Sequence, residues 1–151
     1  LSIQFLDMRV SQPNSYSLPY NTGPVVPITE PGTQVASIGV ITKGVSQANQ
    51  TDIRVVLRAS IGLSCPSETV DYVTFRLFRI ANGVTTLVFQ GNQIVPSVPI
   101  IAGFTAADFH PTLPANGQLV YQAFVQATTA NTVHLDGPVS FNGSAAAGTF
   151  S

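Results

Sequence analysis

The chain has 151 residues, enough for one well-formed core and a single domain, yet only 9% of them are charged, against about a quarter in an ordinary soluble domain. Six basic and seven acidic residues leave a formal net charge of -1, which excludes an electrostatic footprint for nucleic acid. Hydrophobic residues reach 44%, but the apolar runs all fall short of the roughly 18 to 20 residues of a helical membrane span.

No charged segment followed by an apolar one opens the chain, and localisation is not legible at that end. Ile3 to Val10 reads as a strand. Pro13, Pro19, Pro24, Pro27 and Pro31 then break ladders between residues 11 and 33, which gives an extended arm or edge segment. Gln34 to Thr42 is a second strand. From Arg54 the two-residue period puts Val55, Leu57, Ala59, Ile61 and Leu63 on one face and Arg54, Arg58 and Ser60 on the other, the pattern of a half-buried antiparallel strand. Cys65 follows as the only cysteine, so it is a buried free thiol or half of an intermolecular disulfide.

Tyr72 to Ile80 and Val84 to Phe89 flank Asn82-Gly83, a hairpin signal because both residues tolerate positive φ. Thr105 to Phe109, between Gly103 and Pro111, has a helical flavour too short for more than about one turn. Asn116-Gly117 and Asn142-Gly143 read as further turns. Leu119 to Thr128 and Thr132 to Phe141 form a second hairpin across Thr129-Ala130-Asn131, and Ala145 to Phe150 supplies a closing strand. Eight or nine short strands at this spacing predict an all-β fold, a two-sheet antiparallel sandwich of jelly-roll type. Residues 1–33 form its arm and 34–151 the sandwich. An immunoglobulin-like sandwich is the alternative, without the Trp or paired cysteines that would support it.

Chemistry is thinly supplied. Asp108-Phe109-His110 and His134-Leu135-Asp136 each put a carboxylate beside an imidazole, but a two-residue spacing with nothing else nearby is a weak metal signal. No Gly-x-Ser-x-Gly elbow or phosphate-cradling glycine loop occurs. The expectation is no enzyme, no metal and no cofactor. The sequons at Asn49 and Asn142 are what chance gives in a chain rich in Asn, Ser and Thr. Most aromatics fall at strand spacing, with Phe104 and Phe109 the two to inspect for exposure.

Phe5-Leu6-Asp7-Met8-Arg9-Val10 with the Pro/Asn/Tyr arm behind it, Gln34 to Val40, Ile53 to Leu63, Val73 to Arg79 and Gly137 to Gly143 together resemble the exosporium protein C type of bacterial spore-surface protein. The architecture is similar to the jelly-roll domains of spore-coat glycoproteins and of the tumour-necrosis-factor and C1q fold. The resemblance implies a structural, self-assembling subunit of a spore or cell-surface layer or fibre. Its partners would be copies of itself, as a homotrimer or a homopolymer, together with other surface-layer proteins, at an extracellular or spore-surface location. The arm, through Ile3, Phe5, Leu6, Met8, Val10, Tyr16 and Tyr20, is a candidate inter-subunit strand, the alternative being pairing within its own subunit. A carbohydrate- or ligand-binding sandwich and a viral capsid or tail-fibre jelly roll are the rival functions. Uncharged faces are expected at subunit interfaces, with Arg54, Arg58, Arg76 and Arg79 on strand faces turned away from the core.

Overall fold

The computed structural model describes residues 3–66, 70–129 and 132–148. Its strands are β1 (Gln4–Asn14), β2 (Thr33–Ile41), β3 (Ile53–Ser64), β4 (Asp71–Ala81), β5 (Val84–Val95), β6 (Ile100–Phe109), β7 (Gln118–Ala127) and β8 (His134–Ala147), with one 3-10 turn at Gln47–Asn49. They form two four-stranded antiparallel sheets, ordered β1-β8-β3-β6 and β2-β7-β4-β5. Strands adjacent in sequence alternate between sheets everywhere except the β4–β5 hairpin. This is the double Greek-key winding of a jelly roll, and it replaces the immunoglobulin-like alternative.

The period-two reading of β3 holds. Val55, Leu57, Ala59, Ile61 and Leu63 are buried in one core cluster with Ile38, Val40, Val73, Phe75, Leu77, Leu119, Tyr121 and Val125 of the opposite sheet, and Ile53 is buried at the start of the strand. Each large side chain so buried contributes roughly 1.5–3 kcal/mol, which makes the space between the sheets the main source of stability. Asn82 and Gly83 have φ of 52° and 75°, the two positive values that a type I′ hairpin turn demands.

Several expectations need correction. Thr105 to Phe109 is no helical turn: it is the second half of β6, where Ala106 and Asp108 point inward and Thr105, Ala107 and Phe109 outward. Asn142-Gly143 lies inside β8. The glycine is there for volume, because a Cβ at 143 would press on Ile38 and Leu57 in the core. Ala145 to Ala147 therefore continue β8 and add no separate strand, while Thr149 and Phe150 lie outside the described residues. The segments read as a hairpin around residues 129–131 belong to different sheets, β7 pairing with β2 and β4, and β8 with β1 and β3; Ala130 and Asn131 lie outside the described residues.

Of the four arginines, Arg79 departs from expectation. Arg79 pairs in register with the inward Tyr121 and enters the sandwich, where its Nη1 donates to both Asp108 oxygens at 2.7 and 2.8 Å while the Tyr121 hydroxyl donates to Oδ2 at 2.7 Å. Arg76 does lie on the outer face of its sheet, but it is covered: it donates to Gln90, Gln126 and the carbonyl of Pro31, with Glu30 at 3.5 Å. A guanidinium is buried only where its donors are met, and both sites meet them.

Candidate self-association surface

β1 runs along β8 of the same chain, Phe5 opposite Ala146, Met8 opposite Ser144 and Val10 opposite Asn142. Leu6 turns in against the core. Beyond Asn14 the arm folds back over the start of β8: Leu18 donates to the carbonyl of Asp136, and Val26 is buried beside Val133. The Asp136 carboxylate accepts the Asn21 and Gly23 N–H groups at 3.0 and 2.7 Å and the Ser64 hydroxyl at 2.5 Å. Tyr20 donates to the carbonyls of Cys65 and Ser97. Tyr16 and Tyr20 are exposed, as is Ile3.

Cross-strand partners share a face, so the registers fix the outer surface of the β1-β8-β3-β6 sheet. Its rows are Phe5, Ala146, Arg54, Phe109; then Met8, Ser144, Val56, Ala107; then Val10, Asn142, Arg58, Thr105; then Ser140, Ser60, Gly103. Gly62 and Ile101 follow. Phe5, Met8, Val10, Ile101 and Phe109 are each between 64% and 75% exposed, and they flank a floor of small side chains. Four strands about 4.8 Å apart and about ten residues long give a face of roughly 600 Å². The charges on it are Arg54, 3.7 Å from Asp52, and Arg58, which has no carboxylate within 4.0 Å among the described residues. At one end the arm, Leu63 and the start of β6 enclose a mostly apolar pocket of about 320 Å³, lined by Leu18, Tyr20, Pro99 and Ile101 among others.

The outer face of the second sheet has a different character. Tyr72, Phe78 and Phe124 stand among Thr74, Gln90, Asn92, Gln122 and Gln126, with the two Phe rings edge to face at 5.3 Å. Much of its polar capacity is already used within the chain. Thr74 donates to Asn92, Gln90 and Gln126 accept from Arg76, and Gln126 donates to the carbonyl of Ile28.

The residues singled out for chemistry do not converge. Asp108 is held by Arg79 and Tyr121, His110 sits 3.2 Å from Asp52, and the ring of His134 meets the carbonyl of Gly23 at 2.9 Å. No group of three metal-ligating side chains forms among the described residues. Cys65 is fully buried and free. Burial first, and Asp71 second, push its thiol above the ordinary range, so it is a poor nucleophile, and a disulfide to another chain would require that end of β3 to open. Asn49 is buried, and Asn142 lies on the central strand of the apolar sheet's outer face. Phe109 is exposed, whereas Phe104 is half-buried, stacked on Phe89 at 4.8 Å. The exposed strip along β1 leaves no parity signal, since Phe5 and Met8 fall on one face only through the register shift between Phe5 and Asp7. Its continuation across Ile101 and Phe109 was hidden by the misreading of β6.

These features define an all-β jelly-roll domain, with one outer face that exposes five large apolar side chains and another rich in side-chain amides. No family model matches the chain, and no curated protein does. A solved structure described as "CBM4 structure and function" is similar at 16% identity over 83% of this chain and 87% of that chain, with a TM-score of 0.27; a likeness that loose carries no argument about function. Among the described residues no helix is long and apolar enough to cross a membrane.

Proposed function

We propose that this protein is a structural subunit that assembles with copies of itself through the outer face of the β1-β8-β3-β6 sheet, as a component of a surface layer or fibre outside the cell. The observation that carries this reading is the one sheet face on which Phe5, Met8, Val10, Ile101 and Phe109 are all exposed. Large apolar side chains scattered singly need no explanation, but Phe5, Met8 and Val10 stand side by side along β1, and Ile101 and Phe109 mark the two ends of β6 on the same face. The small floor of Ala146, Ser144, Ser140, Ala107 and Gly103 lets another surface approach closely, and the area is of the order that one partner contributes to a standard interface, about 800 Å². A chain with 9% charged residues has little electrostatic repulsion to oppose the contact.

The second reading is a saccharide-binding sandwich, supported by the rings of Tyr72, Phe78 and Phe124 among side-chain amides on the opposite sheet. It is the weaker reading because those amides are engaged in bonds to Arg76, Thr74 and the Ile28 carbonyl. One experiment separates the two. Sedimentation velocity over a wide concentration range gives growing oligomers in the first case; in the second it gives a monomer, whose mobility shifts in a gel cast with a soluble polysaccharide.

A further inference from the structure

The two sides of the sandwich are guarded very differently. On one side β1 carries Asp7, Arg9 and Pro13 and is interrupted by two register shifts. It also lies over β2, whose Ile41 N–H donates to the Asp7 carboxylate at 2.8 Å. Charges, proline and bulges are the devices by which sheet edges avoid pairing with other chains. On the other side β6 has none of them. Its sequence, IIAGFTAADF, contains no Lys, Arg or Pro, and its register against β3 runs unbroken from Leu63–Ile100 to Arg54–Phe109. Its one charged residue, Asp108, is turned into the sandwich and held by Arg79 and Tyr121. The backbone edge is thus long, regular and uncharged.

We infer that β6 is a self-pairing edge, on which β6 of a second copy adds antiparallel about a two-fold axis at Thr105 to make one continuous eight-stranded sheet. This rests on the self-association reading and names a contact for it. The side chains of β6 are self-complementary about that axis. On the outer face Thr105 meets Thr105 of the second copy, Gly103 meets Ala107, and Ile101 meets Phe109. Small residues therefore face small ones at the centre, and an aliphatic chain faces an aromatic ring at either end, a favourable cross-strand pair. On the inner face Phe104 meets Ala106. The two Arg58 side chains, one strand in from each β6, stand three strand spacings apart, about 14 Å, beyond the roughly 8 Å screening length at physiological salt. The contact is isologous, so each copy gives and receives the same groups. It also joins two apolar faces into one surface twice as wide.

The test is a cysteine placed on the axis. Thr105→Cys puts two thiols directly opposite in an antiparallel pair, within the Cα separation of about 4.4 to 6.8 Å that a disulfide needs. Mild oxidation of the full chain should give the covalent dimer as the dominant product, while Thr112→Cys, exposed just beyond β6, and the wild type, whose Cys65 is buried, stay uncrosslinked. A Thr105→Lys variant should lose the non-covalent dimer yet keep the wild-type unfolding midpoint, which shows that the strand itself is intact. If wild type associates but Thr105→Cys yields no more dimer than the Thr112 control, the β6 contact is wrong while assembly through the sheet face stands. A wild type that remains monomeric overturns both.

Discussion

Arg79, Asp108 and Tyr121 show what a sandwich requires of a charge in its interior. The ion pair, in which Arg79 Nη1 reaches both oxygens, leaves the carboxylate satisfied, with the phenol as a further partner. Removing one side of such a pair strands the other, so Arg79→Met is expected to cost about 3–5 kcal/mol, read as a fall in the urea midpoint at neutral pH. Burial, then the neighbouring Asp108, raise the Tyr121 phenol far above the ordinary tyrosine value. A folded-state value above the unfolded one stabilises the protein below the unfolded value, about 10, and that contribution is lost as pH rises past it. Unfolding free energy should therefore drop between about pH 10 and 12, and Tyr121→Phe should flatten that drop, as denaturant titrations across the range would show. The triad was not read from the sequence. Arg79 shares the parity of Leu77, a signal that the expectation of an outward arginine overrode, and nothing in a linear reading shows that a strand about thirty positions on brings Asp108 to meet it.

At the scale of elements, the signals that survived were those enforced by local chemistry. The β4–β5 hairpin followed from Asn82-Gly83 because the turn itself demands positive φ at both positions. β3 followed from its alternation because one face has a core to fill. The signals that failed were ambiguous locally and decided by distant partners. Asn142-Gly143 has the same letters as the hairpin turn, yet its glycine serves the close approach of Ile38 and Leu57. Gly143→Val would overfill that contact and should cost about 1–3 kcal/mol, measurable by thermal unfolding, with no effect on any turn. Thr105 to Phe109 looked helical because Ala-Ala is indifferent to context. Pairing with β3 along its whole length overrode that weak propensity. The arm was legible as proline-rich and extended, but its anchoring on Asp136 was not, since a buried carboxylate accepting backbone N–H groups leaves no sequence pattern.

For the whole molecule, the low charge of the chain has a specific location in space. The few charges are spent on pairs such as Asp7–Arg9, Arg76–Glu30 and Arg79–Asp108, and one sheet face, of apolar and small polar side chains, carries no charge apart from Arg54 and Arg58. The central claim is that this face assembles with copies of the same chain. Val56 and Met8 lie on it in one row, with their side chains turned away from the core, so Met8→Glu with Val56→Glu puts two carboxylates into the contact without touching the sandwich interior. Sedimentation velocity of the wild type and this double variant, beside their thermal unfolding midpoints, is the most direct measurement. The account predicts a wild type that shifts to progressively larger species as concentration rises, and a variant that grows no further than the dimer made through β6, with an unfolding midpoint close to that of the wild type. A wild type that is monomeric throughout, or a variant that associates as the wild type does, would contradict it.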